Sequence, residues 1–203
     1  HIMANIDAAF GLRPFVREGS SYNNQGMNAY AIQTADTAGV ANEIFTGQGV
    51  IPLANGLISY AGAAAGGTVP YLGVFMGCKY TALDGTPTWS AYYPGTASCK
   101  ANTAVTGYVI DDPNALFVIN CDAAAADGLV FANANFATSI TGSTTSGYSL
   151  GELAVSTANT TASLNLRILG FEDSPSSDDA TAAGRLAIVK LNVHFLNSTT
   201  GIN

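Results

Sequence analysis

Titratable chemistry is nearly missing from this sequence. Only 10% of its 203 residues are charged and it holds two histidines, against the roughly 25% of charged residues usual in soluble domains. His1 and Ile2 stand before Met3 and are set aside as a remnant of expression, with the natural start expected at Met3. That leaves His194, expected on the polar face of an alternating run, as the sole imidazole for proton transfer. So poor an inventory of acids, bases and nucleophiles points to a building part and not to an enzyme.

Other absences narrow the choice further. The three cysteines, Cys78, Cys99 and Cys121, form no CxxC pair and lie far from one another in sequence, so the four close ligands of a structural zinc site are lacking. Reduced, partly buried thiols in a cytosolic setting are the expected state, and a disulfide with one spare cysteine is the alternative. No metal and no cofactor is expected. The basic residues Arg13, Arg17, Lys79, Lys100, Arg167, Arg185 and Lys190 are scattered through a chain of net charge -7. Without a basic stripe to release counterions from a phosphate backbone, no direct nucleic-acid partner is expected. The longest apolar stretches, such as 57–67, are rich in alanine and glycine and fall short of the about 18 residues of a membrane span. No charged segment with an apolar stretch behind it follows Met3, so a soluble chain, not exported by a signal peptide and without a membrane partner, is expected.

What is present is uncharged and small. Ser, Thr, Asn, Ala and Gly must cover much of the exterior, which fits a surface partly covered by other subunits and fits equally a monomer with a polar, uncharged coat. The length suits one domain, and at this size folding removes roughly 70% of the unfolded chain's surface, enough for a core without metals or disulfides.

Hydrophobic residues recur with period two. In 164–169, Leu164, Leu166 and Ile168 alternate with Asn165 and Arg167; in 187–195, Val189, Leu191, Val193 and Phe195 alternate with Lys190, Asn192 and His194. Each pattern predicts a strand with one wet face. Further strands are expected in 27–33, 49–53, 71–80, 89–93, 105–111 and 116–121. Between them stand the turn signals Gly66-Gly67, Asp84-Gly85, Pro94-Gly95, Asp111-Asp112-Pro113 and Asp127-Gly128. The prediction is an all-β chain, or a β-rich one with one or two short helices near 122–126 and 177–183. Its architecture is expected to be an antiparallel sandwich or barrel-like domain with long loops. An extended N-terminal arm is assigned to 3–17 and a single β-rich domain to 18–203. Mobile loops are expected at 137–149 and 172–179, which offer little to bury. The arm carries Phe10, Leu12, Pro14 and Phe15, which either fold back on their own domain or reach for a neighbour.

Several motifs need weighing. Gly147-Tyr148-Ser149-Leu150-Gly151 fits the G-x-S-x-G nucleophile elbow, and Asp173, Asp178 or Asp179 followed by His194 gives the order of an α/β-hydrolase triad. The elbow needs a buried strand before its serine and a helix after it, whereas a polar stretch precedes Ser149 and strand or loop composition follows. A solvated strand histidine is the expectation for His194. Gly47-Gln48-Gly49 reads as a turn, since it lacks the third glycine of a dinucleotide loop, and Asp111-Asp112 before Pro113 as a turn cap. Asn159 and Asn197 open glycosylation sequons that matter only in a secreted eukaryotic protein. Trp89, near Tyr71, Tyr80, Tyr92 and Tyr93, is either a carbohydrate platform or core, and alternating strand positions favour core.

Taken in order, one set of short blocks covers most of the chain: Ala8-Ala9-Phe10-Gly11-Leu12-Arg13-Pro14, Tyr71-Leu72-Gly73-Val74-Phe75-Met76-Gly77-Cys78-Lys79-Tyr80, Trp89 with Tyr93-Pro94-Gly95-Thr96, Val109-Ile110-Asp111-Asp112-Pro113, Phe131-Ala132-Asn133-Ala134, Arg167-Ile168-Leu169-Gly170 and Lys190-Leu191-Asn192-Val193-His194. Together they resemble a family of small structural proteins of tailed bacteriophages, similar in role to head decoration or cement proteins. The resemblance implies a non-enzymatic virion protein on the capsid exterior, made in the host cytoplasm, whose partner is the major capsid protein. Multivalent attachment favours a cyclic oligomer, a homotrimer first and a dimer second. Phe10, Leu12, Arg13 and Pro14 are the expected capsid or intersubunit contacts. The rival readings are a tail or fibre component that binds a host glycan through Trp89, and a serine hydrolase using Ser149.

Overall fold

A computed structural model describes residues 4–18, 26–34, 43–61, 70–137 and 141–202. Among them the chain forms strands β1 (Arg13–Arg17), β2 (Asn28–Ala31), β3 (Ile44–Phe45), β4 (Gly49–Pro52), β5 (Ile58–Tyr60), β6 (Gly73–Thr81), β7 (Pro87–Ser90), β8 (Tyr92–Tyr93), β9 (Thr106–Ile110), β10 (Ala115–Asn120), β11 (Asn133–Phe136), β12 (Leu153–Asn159), β13 (Leu166–Phe171) and β14 (Leu186–Leu191). Each of the eight runs expected as strands holds one. The 89–93 run is split between β7 and β8, and 187–195 leaves its sheet after Leu191. The strands that alternation did not mark are short, proline-bearing or asparagine-rich: β1, β3, β5 and β11, with β12 left between strand and loop.

The strands make three antiparallel sheets. The first runs β1-β10-β14-β13-β11-β12, the second β2-β9-β6-β4-β5 with β7 on β6, and the third is the pair β3-β8. The result is the all-β, sandwich-like architecture that the period predicts. Neither expected helix forms; the helical pieces among the described residues are three single 3-10 turns, Thr96–Ser98, Asp127–Leu129 and Phe195–Asn197. Asp122 does not cap its own chain, since its carboxylate accepts the N–H of Val155. Near 177–183 the amide of Asn5 donates to the carbonyls of Asp179, Ala182 and Ala183, so acceptors that a helix would use are taken from outside.

Two apolar clusters explain the layering. Leu12, Val74 and Ile110 meet Phe117, Ile119, Leu166, Ile168 and Val189 between the first and second sheets. On the other face of the second sheet, Ile32, Val50, Phe75 and Val109 meet Ile44 and Tyr93 of the small third sheet. Strand β6 is thus covered on both sides from Gly73 to Cys78, which is why 71–78 is a nearly continuous apolar run and not an alternating one. Tyr71 fastens the layers. Its N–H donates to Val193 O at 3.0 Å and its carbonyl accepts from Phe195 N at 2.7 Å. Its hydroxyl accepts a short bond from Asn165 Nδ2, and its ring lies edge-on to Phe136. Asn165, expected on a wet face, is therefore buried.

The N-terminal arm lies back on its own domain. Ile6 N–H bonds Ser176 O, Gly11 N–H bonds Gly151 O, Leu12 N–H bonds Gly47 O, and β1 pairs with β10 as an edge strand, a position that tolerates Pro14 because proline has no N–H to give. In the 137–149 stretch, 138–140 lie outside the described residues. Its later part is closed by Ser143 N–H to Tyr148 O and Ser149 N–H to Thr46 O. The 172–179 stretch is held by Glu172 N–H to Leu186 O and by Asn5 Oδ1, which accepts from Asp179 N.

Replacing Tyr71 by Phe leaves the Asn165 amide buried without its hydroxyl partner. The expected loss is about 1–3 kcal/mol, read as a lower urea midpoint at unchanged slope.

Candidate functional site

A groove lies where the N-terminal segment crosses the second sheet. Gly11 and Gly47 both have positive φ, at 72° and 86°, and a side chain at Gly11 would put its Cβ 2.6 Å from Ser149 Cβ and 2.7 Å from Gly47 O. Only glycine permits this crossing. It sinks Leu12 into the core and leaves Phe10, Arg13 and Pro14 lining a groove of about 520 Å³ together with Met76, Ala91 and Tyr148. The four residues expected as contacts thus share one groove, but Leu12 is 1% exposed and belongs to this chain's own core, which removes it as an anchor for a neighbour. Arg13 lies 5.0 Å from the Phe10 ring centroid and 3.7 Å from Glu172 with over half its side chain in water, a pair worth little to stability. Sequence reasoning missed Tyr148, which is 52% exposed and lines the same groove. The Gly147 before it, at φ 76°, was the only local sign of a fixed turn.

The nucleophile-elbow string has a different setting. Ser149 is buried, its Oγ accepts from Gly151 N–H at 3.0 Å, and β12 follows it rather than a helix. His194 corrects the solvated-histidine expectation: it is 3% exposed. Strand β14 ends at Leu191, so the alternation is lost and the ring turns inward, where Nδ1 accepts from Leu196 N–H at 3.2 Å. Burial pushes its pKa down, and the negative charges of Asp111 and Asp112 oppose that. Among the described residues no hydrogen bond joins Ser149 to His194, nor either of them to Asp173, Asp178 or Asp179.

Asp112 caps its turn as expected, accepting from Asn114 N–H at 2.8 Å while pairing with Arg17 at 2.6 Å. Asp111 instead turns inward and accepts from Asn28 Nδ2 and the Tyr30 hydroxyl. Burial, then the bond to Asp111, pushes the Tyr30 phenol up to about 12.

Trp89 is not core. It is 65% exposed, because its cross-strand partner is Lys79 and the two share the wet face; Lys79 Nζ stands 4.8 Å from the indole centroid. Tyr71 and Tyr93 are buried elsewhere, so the aromatics do not gather into one platform. The three cysteines are free and buried. Burial pushes the Cys78 and Cys121 thiols up to about 12 and raises that of Cys99.

Among the described residues no helix is long and apolar enough to cross a membrane, and no three His, Cys, Asp or Glu side chains group closely enough to hold a metal. Comparison with protein-family models, with curated proteins and with solved structures finds no match.

Two measurements check these placements. A thiol reagent near neutral pH should label the native protein slowly and the denatured protein at all three cysteines, because the thiolate is the nucleophile. Trp89→Ala should cost under about 1 kcal/mol, the scale of an exposed cation–π contact, in a denaturant titration; a loss of about 3–5 kcal/mol would mark a core residue.

Proposed function

We propose that the chain is a non-enzymatic virion structural protein of the decoration or cement type, which attaches to the outer face of a tailed-bacteriophage head and braces it. The observation that carries this reading is the groove beside the edge strand β1: a partly apolar surface lined by Phe10, Arg13, Pro14 and Tyr148. The ordered sequence blocks that resemble phage structural proteins supply the identity of the surface it would meet, the major capsid protein. Adhesion by this route needs shape and many weak contacts, and the sparsely charged exterior imposes little desolvation cost when it is covered. A homotrimer matching a local symmetry axis suits such multivalent docking, with a dimer second.

A second reading rests on Trp89. An indole 65% exposed on β7, beside Lys79, is a surface on which a sugar ring could stack, as a tail or fibre component binding a host glycan would require.

Removing the whole N-terminal segment would take Leu12 out of the core, so the test uses surface changes. The double variant Arg13→Glu, Tyr148→Ala and the single variant Trp89→Ala are each mixed with undecorated heads of the parent phage and sedimented, and each is applied to a glycan array. Decoration predicts that the double variant alone loses occupancy, with unchanged near-ultraviolet circular dichroism. Full occupancy by the double variant overturns the groove assignment, and glycan binding abolished by Trp89→Ala favours the second reading.

A further inference from the structure

The first turn of the C-terminal segment is capped by an imidazole. After Asn192, whose amide donates to the carbonyls of Ala162 and Leu164, the chain leaves the first sheet and bridges to Tyr71 at His194. It then makes the 3-10 turn Phe195–Asn197. His194 caps that turn: its Nδ1 accepts the N–H of Leu196, while its carbonyl accepts from Asn197. An Nδ1 that accepts leaves the neutral ring's proton on Nε2, and Nε2 is buried with no partner. Among the described residues the ring's hydrogen bonding thus rests on its acceptor nitrogen, inside protein, one residue from the Phe195 N–H to Tyr71 O bond that fastens the segment.

We propose that His194 is an acid-operated latch on the C-terminal segment: a proton gained at Nδ1 displaces the Leu196 N–H, and the 195–197 turn lets go of Tyr71. Once Nδ1 carries a hydrogen it faces the Leu196 N–H donor to donor, and the imidazolium has two N–H groups to satisfy in place of one. The charged groups acting on the ring are Asp111 and Asp112. Asp111 is engaged by Asn28 and Tyr30 and Asp112 by Arg17, so neither can move to the ring without breaking its own bond. The other titratable neighbour, Tyr71, stays neutral, its phenol raised to about 12 by burial. Opening frees Phe195, which packs against the second cluster, together with the half-exposed Leu196.

The sign follows from linkage. Burial lowers the closed-state pKa below the ordinary imidazole value of about 6.5, so the open state takes up the proton first. The closed form is fully favoured above that ordinary value, and its advantage is lost as pH falls from there through the lowered one. This inference does not depend on the proposed virion role.

The test is amide hydrogen exchange, corrected for the intrinsic rate, from about pH 7.5 to about pH 4.5, with the His194 ring nitrogens followed by NMR in the same samples. Protection of the Phe195 and Leu196 amides should fall by roughly fivefold or more, the scale of a lost N-cap, as the ring titrates, while Ile119 and Val189 keep theirs. His194→Asn, which caps without titrating, should hold protection across the range. Protection that ignores the ring's titration, that falls equally in His194→Asn, or that is lost together with Ile119 and Val189 overturns the latch. If His194→Asn does not fold, the wild-type protein decides: coincident midpoints for the ring and the Leu196 amide support the latch, and separate midpoints refute it.

Discussion

Strand β6 carries Val74 on one side and Phe75 on the other, both fully buried, and a strand apolar on both faces has to be covered twice. The first sheet covers one face and the β3-β8 pair with its flanking loops covers the other. That requirement fixes the order of layers, and Tyr71, just before β6, sits where they join. Its backbone meets the chain after β14 and its hydroxyl reaches Asn165 at the start of β13. Gly49 has no side chain because a Cβ there would stand 2.6 Å from the Tyr71 ring. The groove and the His194 turn are both set by this arrangement, one at the edge of the sandwich and the other on the segment after β14 that Tyr71 holds.

With so few charges available, side-chain amides do much of the tying. Asn5 joins the N-terminal segment to the 179–183 carbonyls. Asn120 donates to both Asp7 and Glu152, and Asn192 holds two carbonyls of the β12–β13 connection. Each bond spans residues far apart in sequence and closes a loop that apolar burial alone would leave loose. The deeply placed cation Arg185 is held in the same way, its two terminal nitrogens donating to the Ala125 carbonyl and to Asp127 and its guanidinium lying over the face of Phe171. Polar residues that look like a neutral coat in the composition are in part internal cross-links.

The candidate surface was legible in pieces. Phe10, Arg13 and Pro14 stand out as apolar or cationic residues in a segment without a partner of its own, and they do line one groove. Tyr148, which lines the same groove, was hidden, since Thr, Ser and Gly around it suggest a loop without contacts. Leu12 looked like a fourth contact because hydrophobicity has no direction: the same side chain serves a core or a neighbour, and the Gly11 crossing turns it inward. Trp89 went the other way, since its strand pattern alone could not tell which face lay beneath another layer; pairing with Lys79 decided it.

Sequence alone determined the all-β class, the position of most strands and the close spacing of turns, because side-chain alternation and Gly, Pro and Asp signals act over a few residues and need no partner. It also determined the poverty of reactive groups. Tertiary structure alone decided which strands lie side by side and that His194 is buried beyond the end of β14. It also decided that the stretches read as short helices lose their acceptors to Asn5 or their cap to Val155. Each of those outcomes depends on atoms brought from distant parts of the chain, and local periodicity carries no information about what will cover a given face.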